Sequence, residues 1–287
     1  MPQHEITNNQ DAYNQFWIEH SRLGLNTTKF LAHRDLPYIF CEHLLQHNIK
    51  VKYKVLDFGC GSGATAKVIH DMLQMLGVDV ELYGLDINEK NVAVARKENP
   101  AGKFEWCEKG KVPAGWQDFD LVICNFVLLE NKFDDMLTIL KNINGLLNDK
   151  GIAIITSNTA KTYDRQNQWN SFNTNHPENT PTVFSPEKNK LKRVEGQSVK
   201  KTMHDKNGKT LFTFFDIFHP RHVYKKAYEL AGLSIVASRK PLGTEHDGIE
   251  WKSETHTPPY RIDVIRKNQS APALEQVPGT VRLKAML

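Results

Sequence analysis

VLDFGCGSGATAKVI, residues 55–69, is the stretch on which the fold turns. A hydrophobic run, Val55 to Phe58, ends in a glycine-rich turn that opens a segment of helical spacing, with apolar residues at Val68, Ile69, Met72 and Leu76. Gly59, Gly61 and Gly63 allow backbone torsions closed to other residues and a close approach to a ligand. The free N–H groups at the start of the following helix can then meet a negative group. Downstream the same alternation repeats. Glu81–Asp86, Lys103–Cys107, Asp120–Phe126 and Gly151–Ser157 read as strands, with helices over Glu89–Lys97 and Phe133–Leu147 between them. Asp120–Phe126 carries Leu, Val, Ile and Cys in succession, as a strand covered on both faces does. Such alternation implies α/β architecture around a parallel sheet.

After Asn158 the alternation breaks. Thr159 to Pro186 is rich in Asn, Thr, Gln and Pro and reads as a long loop or lid. VEGQSVKKTMHDKNGKTLFTFFDIF, residues 194–218, then reads as a β-hairpin turning at Asp205–Lys209, because Asn-Gly between β-prone runs favours a tight turn. A helix over Arg221–Ala231, stopped by Gly232, and two strands, Leu233–Ser238 and Tyr260–Arg266, resume the main pattern. The expected organisation is a helical cap over 1–50, a ligand-binding core over 51–157, a lid insertion over 158–220, the rest of the core over 221–267, and a tail of disordered composition over 268–287.

The 287 residues, 40% hydrophobic and 24% charged, have the balance of an ordinary water-soluble chain. The N-terminal residues lack a secretory pattern, and the apolar run near Leu121–Leu129 is about half of what a bilayer span needs, so a cytoplasmic protein without a membrane partner is expected. Cys41, Cys60, Cys107 and Cys124 are scattered without any C-x-x-C pair, which suggests neither a disulfide framework nor a metal site. The net charge of +4 is unevenly spread. Lys188, Lys190, Lys192, Arg193, Lys200, Lys201, Lys206 and Lys209 crowd residues 186–210, against Glu187, Glu195 and Asp205. That segment is either a solvated face or a docking surface for an anionic partner.

Two acids flank the glycine turn. Asp86 ends the second strand, where a carboxylate accepts hydrogen bonds from ribose hydroxyls. Gly59-x-Gly61-x-x-Ala64 also satisfies a dinucleotide fingerprint, so the glycines alone do not separate S-adenosylmethionine (SAM) from a nicotinamide cofactor. Asp57 does. A carboxylate there would repel a pyrophosphate but favours the ammonium and sulfonium of SAM.

VLDFGCGSG resembles the first motif of class I, Rossmann-like SAM-dependent methyltransferases, and YGLDI (residues 83–87) resembles their ribose-binding strand. Glu108, just past the third strand, resembles the acid that the adenine loop offers, and FDLVICNFVLLE (119–130) resembles the fourth-strand motif. The resemblance implies SAM as cofactor and a seven-stranded sheet of order 3-2-1-4-5-7-6 with an antiparallel last strand. Its cofactor residues map onto Asp57, Gly59, Cys60, Gly61, Gly63, Asp86, Ile87, Glu108 and Asn125, with Arg34 in HRDLPY placed to reach the cofactor carboxylate. Cys124-Asn125-Phe126-Val127 departs from the D/N-P-P-Y pattern of enzymes that methylate nucleobase or glutamine amines.

Methyl transfer needs alignment, exclusion of water and sometimes a base, so no obligatory catalytic signature exists. His219, at the end of FFDIFHP, is the candidate base; as a lone histidine beside a proline it also suits a turn. Tyr13 and Trp17, on one face of an N-terminal helix, and Trp169 in the lid are candidate substrate contacts, with Phe172 beside Trp169. Residues 243–256, dense in titratable groups, are expected at the rim. A small-molecule acceptor is the leading expectation. The alternatives are a nucleic-acid or carrier-bound acceptor docked on residues 186–210, and a non-catalytic SAM-binding subunit.

Overall fold

The structure, a computed structural model, describes residues 27–45, 50–181, 183–185, 190–205 and 207–268. The helix expected to carry Tyr13 and Trp17, and the tail after residue 268, lie outside the described residues.

Two short helices, α1 (Phe30–Arg34) and α2 (Leu36–Phe40), lead through a π-turn at Cys41–Leu45 into the first strand. The core then runs β1 (Lys52–Phe58), α3 (Ala64–Met75), β2 (Asp79–Asp86), α4 (Glu89–Glu98), β3 (Lys103–Trp106), β4 (Phe119–Asn125), α5 (Phe133–Leu146) and β5 (Leu147–Asn158). Three short strands follow: β6 (Phe172–Asn173), β7 (Val183–Ser185) and β8 (Lys190–Lys192). The hairpin is β9 (Ser198–His204) and β10 (Thr210–Ile217), and the chain ends in α6 (Arg221–Leu230), β11 (Leu233–Arg239) and β12 (Tyr260–Lys267).

Seven strands form one sheet in the order β3-β2-β1-β4-β5-β12-β11. Strands β1 to β5 run parallel, β12 pairs antiparallel with β5, and β11 pairs antiparallel with β12. This is the expected 3-2-1-4-5-7-6 sheet. Period-two alternation splits the strand residues between two layers. Leu56, Val122, Cys124, Ala153 and Ile155 pack with Ile139 and Ile143 of α5 and with Tyr224 and Tyr228 of α6. Val55, Leu121, Ile123, Ile152 and Ile154 pack on the opposite face with Ile69 and Leu73 of α3, Val92 of α4, and Ile39 and Phe40 of α2. All of β4 is buried, as its unbroken apolar run implies.

The insertion departs from the expected plain loop. Phe172–Asn173 adds to the hairpin, Phe172 opposite Met203, giving a three-stranded sheet of order β10-β9-β6. Its Asn and Thr side chains replace a regular ladder by bonding to the backbone. Asn179 Nδ2 donates to the carbonyls of Thr174 and Lys200, and Thr174 Oγ1 donates to that of Thr162. The hairpin turn is fastened by Asp205, whose Oδ1 accepts from the N–H groups of Asn207 and Lys209.

Residues 243–256 tie the cap to the insertion. Glu254 is fully buried and accepts from Thr28 Oγ1 (2.7 Å), Asn170 N–H (2.7 Å) and Lys252 N–H (3.0 Å). No residue of 243–256 lines the cleft described below, so the expected rim is instead a brace behind the cap. Among the described residues no helix is long and apolar enough to cross a membrane.

Candidate functional site

A cleft opens at the C-terminal edge of the parallel strands, where ligands bind in such sheets. Its floor is Gly59–Ser62 after β1 and Asp86–Asn88 after β2, its far wall is Glu108–Lys111, and its near wall is Asn125–Val127 after β4. Gly59 can be nothing larger. Its φ is +76°, and a Cβ there would stand 2.3 Å from Val127 Cγ2. Gly61 (φ +51°) would meet nothing within 4 Å, and it lines the cleft.

Asp86 holds the floor in shape: Oδ2 accepts from Gly61 N–H and Oδ1 from Asn88 N–H, both at 2.8 Å. Its burial raises its pKa above the ordinary carboxylate value. Asp57, two residues behind Gly59 in β1, is buried and supported by the Ala66 N–H. Its Oδ2 has no hydrogen-bond partner among the described residues. Burial pushes its carboxyl up to about 7, Lys29 pulls it down and Asp86 adds to the rise. Lys29, half-buried, lines the cleft just before α1, and its own pKa is lowered by loss of solvent although Asp57 favours the charge.

SAM presents an amino-acid zwitterion, a diol, an adenine and a sulfonium, and the residues in place fit each. A buried carboxylate oxygen without a partner suits the ammonium, and Lys29 has the sign to take the carboxylate. Asp86 suits the diol. Ile87, 45% exposed, offers an apolar face beside the exposed Glu108 for the adenine. Asn125 ends β4 with Oδ1 held by Thr156 Oγ1 (2.6 Å) and Nδ2 buried without a partner among the described residues. Phe126 follows at φ +65°, a strained torsion for an aromatic residue, its ring edge-on to Tyr260 at 4.9 Å.

Of the residues expected at a cofactor site, Gly59, Cys60, Gly61, Asp86, Ile87, Glu108 and Asn125 line this one cleft, while Asp57 and Gly63 stand just behind its lining. Three expectations need correction. Arg34 does not reach the cleft: its guanidinium is held by Asp35, Asp247 and the Leu242 carbonyl. Trp169 roofs nothing. It is buried, stacks on Phe172 at 5.6 Å, donates Nε1–H to the Thr162 carbonyl, and packs with Leu31 and Tyr260. His219 is buried behind the wall. A carbonyl only accepts, so His219 Nε2 donates to the Asn131 carbonyl (2.9 Å), and the ring stands edge-on to Tyr224. Asn131 lines the cleft and His219 does not. Tyr13 and Trp17 lie outside the described residues.

Several lining residues were not anticipated. Lys29 comes from the cap, and Lys201, Met203, Phe212 and Phe214 come from the hairpin. Lys201 belongs to the basic 186–210 segment, expected as either a solvated face or a docking surface, yet it is buried within the cleft wall. Its signal was the alternation Lys201-x-Met203 opposite Phe212-x-Phe214, which puts all four on one hairpin face.

Known proteins share this fold. Residues 49–210 match a family model described as a methyltransferase domain. A SAM-dependent methyltransferase from Clostridium acetobutylicum superposes with a TM-score of 0.55 at 12% identity, covering 90% of this chain and 98% of that one. The magnesium protoporphyrin IX methyltransferase of Synechocystis, solved with bound SAM, gives 0.52 at 14% identity, over 90% and 95% of the two chains. An uncharacterised protein of Rickettsia prowazekii is 29% identical over 134 residues, 43% of this chain, and the match spans about half, 53%, of that protein's length.

Proposed function

We propose, for a chain that belongs to the methyltransferase-domain family and so to the class I SAM-dependent methyltransferases, that its methyl acceptor is a small molecule received beneath the hairpin. The observation that carries this is the cleft's second wall. Beyond the floor that suits SAM, the same cleft continues under Met203, Phe212, Phe214 and Tyr260, an apolar roof that an acceptor of modest size would fill.

In this proposal Asp57 and Lys29 hold the two ends of the amino-acid group, Asp86 orients the diol, and Ile87 and Glu108 frame the adenine. Bound there, SAM supplies a methyl carbon already activated by its sulfonium. The protein's contribution is position and dryness: Asn125 and Phe126 set the edge at which donor and acceptor meet, and the hairpin keeps water out. His219 acts as a support for the Asn131 turn rather than as a base.

A docked macromolecule has less in its favour. Arg193 is spent on the Tyr163 and Asn179 carbonyls, Lys200 pairs with Glu178, and Lys201 points into the cleft wall. Among the described residues of the 186–210 segment, these three cations are therefore engaged within the fold. The test is to incubate the protein with SAM labelled in its methyl group and a cell extract divided by size. Label is expected in the low-mass fraction. Label confined to protein or nucleic acid would overturn the proposal.

A further inference from the structure

The hairpin buries a cation where an apolar roof has no use for one. Lys201, 4% exposed, sits on β9 directly opposite Phe214 of β10, and its ammonium stands 4.2 Å from the centroid of the Phe172 ring and 5.5 Å from that of Phe214. Its neighbours along the same face, Met203, Phe212 and Phe214, are apolar, and all line the cleft. A fully buried Asp216 stands 3.7 Å away. That carboxylate is drawn more closely to neutral donors: Oδ2 accepts from Asn158 Nδ2 at 2.7 Å and from the Tyr163 hydroxyl at 3.2 Å. No other carboxylate among the described residues pairs with Lys201. Asp216, at 3.7 Å and bonded to neutral donors, leaves the three N–H donors of Lys201 largely unspent, and Lys201 lines the space assigned above to the acceptor.

We infer that Lys201 is an acceptor-binding residue, and that the acceptor is an aromatic or other flat apolar molecule carrying an anionic oxygen, a carboxylate or a phenolate. This rests on the proposed function. Such an oxygen would complete the coordination of the ammonium in a site of low polarity, where a charge-assisted hydrogen bond is strong. The rings of Phe212 and Phe214 would take the apolar body. Lys29 is the cation associated with Asp57, whereas Lys201 is associated with Asp216, so the cofactor carboxylate and the acceptor anion would have separate partners.

The test uses the full-length protein saturated with S-adenosylhomocysteine (SAH), the demethylated product, with benzoate as probe and benzamide as its neutral counterpart. Benzoate is expected to bind at least about tenfold more tightly, the increment of one charge-assisted hydrogen bond. The preference should disappear in Lys201→Met, while SAH affinity changes by less than about threefold, since SAH touches the other cation. That single variant strands Asp216, so Lys201→Met combined with Asp216→Asn provides a neutral pair that folds if the single variant does not. A second arm follows 4-nitrophenol by its colour: the bound phenol should ionise at lower pH than the free one in the wild type and not in the variants. A shift for 4-nitrophenol alone points to a phenolate acceptor, a preference for benzoate alone to a carboxylate. Equal binding of benzoate and benzamide with no shift, no binding of any probe, or effects that survive in both variants would overturn the inference while SAH binding still upholds the proposed function. Failure of the wild type to bind SAH would take both down.

Discussion

Asp57 shows how much a single residue can be asked to predict. Its carboxyl is buried and pushed up to about 7, with burial the main cause and Asp86 adding to it against the pull of Lys29. Because the folded value lies above the unfolded one, its contribution to the stability of the free protein is fully present below the ordinary carboxylate range. That contribution is lost as pH rises through about 7. Binding works in the opposite sense, since a ligand ammonium favours the ionised form and expels the proton. SAH affinity should therefore rise by up to about tenfold per pH unit until about pH 7 and then level off. Calorimetry in two buffers of different ionisation heat should show release of nearly one proton at about pH 6. Asp57→Asn should abolish that release; a release that persists would assign the titration elsewhere. Lys29, whose pKa is lowered, would take up a proton at higher pH and so is distinguishable by sign. Asp57, Asp86 and the glycines were legible in sequence because a strand, a turn and a helix start are local. Lys29 and Lys201 were not, because their place in the cleft depends on how the cap and the hairpin fold back over the sheet. Arg34 illustrates the same gap: five residues past Lys29, it faces Asp247.

Among elements, α6 and β12 are joined by an ion pair at the antiparallel end of the sheet. Arg221, the first residue of α6, forms a two-pronged ion pair with Asp263 of β12, which is fully buried and also accepts from Tyr228 and Ser238 hydroxyls. Removing the cation leaves a buried carboxylate without its counter-charge. Arg221→Ala is expected to cost about 3–5 kcal/mol, seen as a lower denaturant midpoint at unchanged slope. Pairing Arg221→Met with Asp263→Asn should recover most of that loss. A cost below about 1 kcal/mol would instead class the pair with exposed ion bridges. The core strands and helices were legible to within a few residues because their apolar periods, 2 and 3.6, are set by a two-sided sheet. The Thr159–Pro186 stretch was not. It is shaped by Asn and Thr side chains bonded to a backbone distant in sequence, and such bonds leave no period to read.

At the scale of the whole molecule, the cleft is a joint product of parts that the chain keeps far apart. The sheet edge gives its floor, the cap gives Lys29, and the hairpin gives its roof, while Glu254 binds cap and insertion to the β11–β12 connection. A ligand that spans floor and cap should therefore stabilise the molecule as one unit. At about one hundred times its dissociation constant SAH would add roughly 2.7 kcal/mol to the folded state. For a chain of this size that corresponds to a rise of roughly 4–5 °C in melting temperature. NAD should give no such rise, because its pyrophosphate would have to settle beside the carboxyl of Asp57. Asp57→Asn discriminates further, since it should reduce the SAH shift and relax the exclusion of NAD. If NAD stabilised the wild type as well as SAH does, the charge of Asp57 would not be selecting the cofactor, and the glycine turn would be a general nucleotide cradle. The outcome decides whether specificity lies in the floor that the fold provides or in the one carboxylate placed beneath it.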